Sequence, residues 1–386
     1  MEFSDRLDKL PPYLFVEIDK AKRKARAQGR DIIDLGIGDP DEPTPKEVID
    51  ALYKAAQDPE NHHYPLDQGN SIFRERIAKW YEERFGVTLD PEKEILPLIG
   101  SKEGISHLPL AFINPGDISL VPDPCYPPYK TGTILAGGIP CLMPLIEENN
   151  FLPDLNKIKK LALKKAKIIY INYPNNPTAS TCEKGFFEDI ALFAGKHNLI
   201  VASDAAYSEI AFDGYAPSSF LKVEGGKETG VEFHSLSKTC NMTGWRVGFA
   251  CGNEKIIAGI ARVKSNIDSG VFNAIQTASI TALDIAGRHL ERMNKIYQER
   301  RDILVDGLNK LGWAVKKPRA TFYVWARMPK RHKSSIEFAK TILDKADTIV
   351  TPGIGFGENG EGYVRFALTV SKERISEAIE RLKKTL

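Results

Sequence analysis

The segment SLSKTCNMTGWRVG, residues 235–248, gathers two serines, a lysine and an arginine into one short stretch. Lys238 falls where an apolar strand gives way to what the pattern predicts as a loop. A lysine that forms a Schiff base at neutral pH must first shed its proton, which burial and neighbouring positive charge both favour. Arg246 can grip a phosphate with its fork of N–H groups, and Ser235 and Ser237 offer hydroxyls to the same anion. Taken alone, the stretch also fits an exposed lysine beside a structural arginine.

Three other stretches supply complementary groups. GSKEG at 100–104 follows the apolar run EILPLI and precedes a helical pattern, so the backbone N–H groups of Ser101 and Lys102 would meet an anion at a helix N-terminus. NYPNNPTAS at 172–180 ends a strand; its Asn176 can donate an amide to a phenolic oxygen, or the stretch is simply a tight turn. SDAAYSEI at 203–210 ends another buried strand, placing Asp204 at the edge where open α/β sheets hold ligands. A buried carboxylate there needs a cation, and a protonated pyridine nitrogen is one. Tyr207 can reach the same phenolic oxygen. Tyr126, in DPCYPPYKTG, can stack on an aromatic ring or merely pack its Pro-rich loop. Together these groups are the ones that pyridoxal 5'-phosphate requires.

The framework that must position them is regular. Between about 95 and 255 the runs EILPLIG, DISLVP, KIIYINYP, NLIVASDAA, VEFHSLS and WRVGFACG alternate with helical stretches. Several are continuously apolar, the pattern of a buried, mostly parallel α/β sheet. Phe73, Ile77, Trp80 and Tyr81, with Asn70 or Ser71 as cap and Gly86 as stop, predict a helix over about 70–85. DIIDLGIGDPDEPTP reads as a short strand and an ordered loop. From about 290 a charged helix, the strands TFYVWAR and YVRFALTV, and helices near 334–345 and 371–385 predict a smaller α+β domain. KKLALKKAK reads as a solvated helix face.

Composition narrows the class of partner. The 386 residues are 42% hydrophobic and 27% charged, as in ordinary globular proteins, and the length suits two domains. Fifty-three basic against 51 acidic residues give a net charge of +2, which points to small charged metabolites and away from nucleic acid or membrane surfaces. With no signal-type or membrane-spanning apolar run, a cytoplasmic location is expected. Five cysteines, odd in number and without a CxxC pair, read as reduced structural thiols with no metal site. His62 and His63 would point to opposite faces of a strand. Gly355, Gly357 and Gly360 form a GxGxxG that a strand-like segment follows, the wrong context for a dinucleotide fingerprint.

Taken together, the segments resemble the fold-type I pyridoxal-phosphate aminotransferases over essentially the whole chain. The separations are similar too: 28 residues from Asn176 to Asp204, 34 to Lys238, 8 more to Arg246, and 127 from Lys238 to Arg365. FSDRLDKLPPYLFVEI, DLGIGDPDEPTP, LIGSKEGISHLPLAFINPGD, DAAYSEIAFDGY and TFYVWA further resemble one branch, the LL-diaminopimelate aminotransferases. The resemblance implies a large domain over 46–284 with a mostly parallel seven-stranded sheet, a small domain from 1–45 and 285–386, and a homodimer sharing its active sites.

It also implies roles. Lys238 would be the Schiff-base and proton-transfer residue, Asp204 the partner of the pyridine nitrogen, and Asn176 and Tyr207 the donors to the phenolic oxygen. Ser101, Lys102, Ser235, Ser237 and Arg246 would surround the phosphate, joined by Tyr64 from the partner subunit, with Tyr126 stacked on the ring. Arg365 would bind the substrate α-carboxylate near Gly38 and Asn176, with Tyr13 and Asp67 also on the substrate side. The implied reaction is ping-pong amino transfer between LL-diaminopimelate and 2-oxoglutarate. The alternatives are an aspartate, aromatic or alanine aminotransferase, or a C–S lyase or decarboxylase of the same fold. A ligand-sensing regulator is the alternative from another class, but it would need a DNA-binding segment for which this chain leaves no room. Three positions depart from the commoner pattern: Ala179 where NPTG is usual, Cys125 before the stacking tyrosine, and Cys240 after the lysine.

Overall fold

The computed structural model describes residues 2–11, 14–65, 68–329 and 331–383. Its strands are β1 (Ile33–Asp34), β2 (Ile95–Leu98), β3 (Ile118–Asp123), β4 (Ile139–Pro144), β5 (Ala166–Ile171), β6 (Ile200–Asp204), β7 (Gly230–Ser235), β8 (Gly248–Gly252), β9 (Tyr323–Arg327), β10 (Thr348–Ile349), β11 (Thr351–Pro352) and β12 (Tyr363–Ala367). Seven of them form one sheet in the order β2-β8-β7-β6-β5-β3-β4. The neighbours from β7 to β4 run parallel, and β8 runs antiparallel to both β7 and β2.

That sheet is covered on both faces, which explains its continuous apolar runs. Along β5, Ile168 and Tyr170 join one buried cluster while Ile169 and Ile171 join the other, as the two-residue strand period dictates. A second sheet, β11-β12-β9, is antiparallel and packs in a separate cluster with Tyr297, Leu304, Trp313 and Phe338. β1 pairs in parallel with β10.

The strand directions bring the chemistry to one edge. Because β8 is reversed, its first residue, Gly248, lies between Ser235 at the end of β7 and Leu98 at the end of β2. A Cβ on Gly248 would sit 2.5 Å from the His234 carbonyl oxygen and 3.0 Å from the Ser101 amide nitrogen, so only glycine allows this approach.

The structure corrects four details of the sequence reading. Lys238 lies in a single helical turn, Leu236–Thr239, rather than in a loop. The helix expected from about 290 begins at Asn273 and runs unbroken to Lys310, since nothing apolar is missing from its packed stripe over the earlier turns. KKLALKKAK forms only one helical turn, Lys160–Leu163, before β5 begins at Ala166. The sheet's edge strand β4 carries proline near both ends and little burial, so it left no sequence signal. The helix expected over 70–85 spans Ser71–Phe85, with the Asn70 side chain accepting from the Phe73 N–H and Gly86 left-handed at φ 70°.

Candidate active site

At the carboxyl edge of the large sheet, each strand end delivers one group. β6 ends on Asp204 and β7 on Ser235. The helix Ser101–Phe112 opens directly after β2, with Gly100 at φ 76° before it. A Cβ on Gly100 would lie 2.4 Å from Arg246 Nη2, so the missing side chain is what lets that guanidinium close on the helix N-terminus.

These ends enclose a cavity of about 330 Å³. Its wall contains Gly38, Ser101, Lys102, Tyr126, Asn176, Asp204, Tyr207, Ser235, Ser237, Lys238, Arg246 and Arg365. Twelve of the residues singled out from sequence are thus brought together. Tyr64 is 87% exposed and lies outside this wall. Tyr13 and Asp67 fall outside the described residues.

Lys238 Nζ donates to the Gly38 carbonyl at 2.8 Å. Burial pushes its ammonium down to about 8; Asp39 opposes that shift, and Arg365 and Arg246 add to it. This is the combination of desolvation and nearby positive charge that the sequence reading anticipated. Asp204 is buried at the end of β6, where its Oδ2 accepts from Tyr129 Oη at 2.6 Å and its Oδ1 from the Ala206 N–H at 3.2 Å. Burial drives its carboxyl up to about 6 despite those bonds.

Arg365 is buried on β12. Its Nη1 donates to Asn176 Oδ1 at 2.7 Å and its Nη2 to the Gly36 carbonyl at 2.8 Å. The guanidinium lies 4.0 Å from the Tyr323 ring centroid and 4.7 Å from that of Phe356. Tyr207 Oη is 2.9 Å from Tyr323 Oη. The Asn172 side chain links the strand ends, donating to the Asp204 carbonyl and accepting from the Asn176 N–H.

Three contributors escaped the sequence reading: Tyr129, Tyr323 and Gly36. Tyr129 lay in a stretch already marked for Tyr126, but nothing in DPCYPPYKTG tells which tyrosine reaches the carboxylate. Beneath the cradle, Lys264 is buried with Glu103 at 3.0 Å and Asp268 at 2.6 Å, fastening the first turn of the Ser101–Phe112 helix. Glu103, His107 and Asp268 are spaced as metal ligands could be, but the Lys264 ammonium supplies positive charge at that place.

The departures from the commoner pattern have a structural reading. Ala179 occupies a left-handed position, φ 56°, where glycine meets no steric cost. Cys125 and Cys240 are buried, and each fills packed space.

The pocket fits pyridoxal phosphate. Asp204 is a buried carboxylate with no ion-pair partner among the described side chains, a place for a ring N–H⁺. The Gly100 and Arg246 contact with the helix N-terminus makes an anion cradle. A seven-stranded α/β sheet with a buried lysine and this cradle at its carboxyl edge is the frame of a fold-type I pyridoxal-phosphate enzyme. The sequence profile of the family "Aminotransferase class I and II" matches residues 30–382, and the chain belongs to that family.

Among its relatives is the LL-diaminopimelate aminotransferase of Halothermothrix orenii, 54% identical over 383 residues, covering 99% of this chain and 98% of the relative. The structure of substrate-bound BacF from Bacillus subtilis is similar at a TM-score of 0.97 and 40% identity, over 100% of this chain and 98% of that one. A Thermus thermophilus aspartate aminotransferase double mutant aligns over 100% of both chains with a TM-score of 0.94 and 28% identity. The protein is an aminotransferase that uses pyridoxal phosphate and acts on amino and oxo acids. Among the described residues no helix is long and apolar enough to cross a membrane.

Proposed function

We propose that this aminotransferase interconverts the pair LL-diaminopimelate and 2-oxoglutarate with the pair tetrahydrodipicolinate and L-glutamate, by a ping-pong route in which the open-chain oxo acid product closes to tetrahydrodipicolinate with loss of water. The observation that carries the substrate is the 54% identity, over nearly both full lengths, to the Halothermothrix orenii enzyme of that name. The pocket supplies the chemistry.

Pyridoxal phosphate, when bound, supplies a carbonyl that takes up the amino group and a ring that accommodates the electron pair left at the substrate's Cα. In this proposal Lys238 would hold the cofactor through Nζ, and its free amine would hold and move the Cα proton on that nitrogen. Its depressed pKa of about 8 keeps a substantial neutral fraction near physiological pH. Asp204 pairs with the ring nitrogen, a charge match favoured by a buried carboxylate that has no ion-pair partner among the described side chains. Asn176 and Tyr207 donate to the phenolic oxygen, and Tyr126 covers the ring. Ser101, Lys102, Ser235, Ser237 and Arg246 hold the phosphate. Arg365 receives the α-carboxylate, with Gly38 and Asn176 beside it. Tyr64, exposed on this chain, reaches the phosphate of a partner subunit in a homodimer, and Tyr13 and Asp67 contact substrate. We further take residues 46–284 as the large domain, 1–45 with 285–386 as the small one, and the cytoplasm as the location.

The test is spectroscopic. The cofactor-loaded protein is mixed, without oxo acid, with LL-diaminopimelate, aspartate, alanine or phenylalanine, and the visible band is followed. Loss of the band with LL-diaminopimelate alone supports the proposal. Loss mainly with another amino acid keeps amino transfer and overturns the substrate.

A further inference from the structure

Tyr323 joins two parts of the pocket that sequence leaves unconnected. It stands on β9 next to β12, where Arg365 pairs with Trp325 and Ala367 with Tyr323, so Arg365 and Tyr323 are diagonal neighbours on one face. The Arg365 guanidinium lies 4.0 Å from the Tyr323 ring centroid. The hydroxyl of the same side chain is 2.9 Å from Tyr207 Oη. It also abuts Gly38, where a Cβ would come within 1.9 Å of Tyr323 Oη, and the Gly38 carbonyl accepts from Lys238 Nζ at 2.8 Å. Tyr323 is buried and lies in the cavity wall.

A pair of phenols shares one hydrogen, so one must donate and the other accept. If the Tyr207 proton is to go to the cofactor's phenolic oxygen, Tyr323 must be the donor of the pair. A hydroxyl that accepts one hydrogen bond becomes a better donor of the next. We propose that Tyr323 is a positioning residue with two separable duties: its hydroxyl fixes the direction and strength of the hydrogen bond that Tyr207 donates, and its ring holds the Arg365 guanidinium flat for the substrate carboxylate. The inference rests on the roles proposed above for Tyr207 and Arg365.

Two variants separate the duties. Tyr323→Phe keeps the ring and removes the hydroxyl. A weaker Tyr207 bond leaves more negative charge on the phenolic oxygen, which favours the proton held at Lys238 Nζ in the cofactor-loaded protein. The pH midpoint of the visible band therefore rises by about 0.5 units, the scale of part of one hydrogen bond. The KM for amino acid stays within about twofold, because the ring contact survives. Tyr323→Leu removes both, and raises KM by about 3- to 10-fold, the scale of one cation–π contact, beyond the same midpoint shift.

An unmoved midpoint in Tyr323→Phe overturns the hydroxyl duty whatever the leucine variant does. A KM rise in Tyr323→Phe as large as in Tyr323→Leu overturns the ring duty. Should the leucine variant not fold, the ring duty is read from Tyr323→Trp, which keeps an aromatic face and should hold KM within about threefold of the wild type; a larger rise overturns it. A wild-type protein that shows no visible band with pyridoxal phosphate sinks the proposed function itself, a result distinct from an unmoved midpoint.

Discussion

Arg365 Nη1 donates to Asn176 Oδ1 at 2.7 Å across 189 residues of sequence. The bond fixes which end of the Asn176 amide is the acceptor and leaves Nδ2 as its donor group. It thereby couples the group proposed for the carboxylate to one proposed for the cofactor.

Arg365→Lys is expected to raise KM for both amino and oxo acid by about 10- to 100-fold, since a lysine cannot reproduce the fork that also bonds Asn176 and Gly36. Steady-state kinetics with each substrate varied in turn checks this. A KM unchanged for both would remove Arg365 from the carboxylate site.

Lys238 predicts a pH dependence whose sign follows from burial. Its folded pKa of about 8 lies below the ordinary 10.5, so the neutral amine, the form that attacks a carbonyl, increases up to about pH 8 and then levels off. The rate at which apo-protein takes up pyridoxal phosphate should rise close to tenfold per pH unit below 8 and flatten above it. A rate still climbing tenfold between pH 9 and 10 would contradict the depressed value. Between the two pKa values the unfolded chain holds more protons, so this lysine makes the apo-protein's stability rise with pH there. Lys238→Ala should abolish the visible band and lower turnover by about 10³-fold or more.

Asp204→Asn keeps the shape and removes the charge. Turnover should fall by about 10²- to 10³-fold, the scale of one electrostatic stabiliser in a buried site, while the band with Lys238 still forms. Stopped-flow measurement of a single half-reaction separates the two. Unchanged turnover would mean that the ring nitrogen does not rely on this carboxylate.

Ala179 offers a stability test apart from chemistry. At φ 56° an alanine is strained by about 1–2 kcal/mol, which Ala179→Gly relieves. Against this, glycine adds unfolded-state entropy of about 0.5–1 kcal/mol and loses a buried methyl of about 0.8 kcal/mol. Urea denaturation should find the variant within about 1 kcal/mol of wild type. Ala179→Val, β-branched at a positive φ, should lose more than about 2 kcal/mol.

The residues that line the cavity were largely legible because most stand at or just beyond the end of an apolar strand, and strand ends are easy to read. Lys238, Asp204 and Asn176 sit next to runs whose burial leaves a compositional mark. Tyr323 was not legible, since its role depends on β9 pairing with β12 in one register, and nothing local to TFYVWAR encodes that partner. Tyr129 was missed for a similar reason. Its ring packs flat on Tyr170 at 4.9 Å, a contact that exists only once β5 lies beneath it. The edge strand β4 was missed because partial burial weakens periodicity, and the early turns of the long helix because their buried stripe is built of small residues, Ala274, Ala278, Ala282 and Ala286, whose apolar mark is weak.

That helix, Asn273–Lys310, is about 57 Å of continuous rod at 1.5 Å per residue. Its first half buries Ala278, Ala282, Leu283 and Leu290 against the cluster around the large sheet. Its second half buries Tyr297, Leu304, Val305 and Leu308 against the cluster around β9 and β12. Neither cluster can come apart without stripping apolar surface from a rod that the other still grips. The two therefore share one melting event more readily than two separately tethered bodies would, and the pocket draws Lys238 from one side of that common spine and Arg365 from the other.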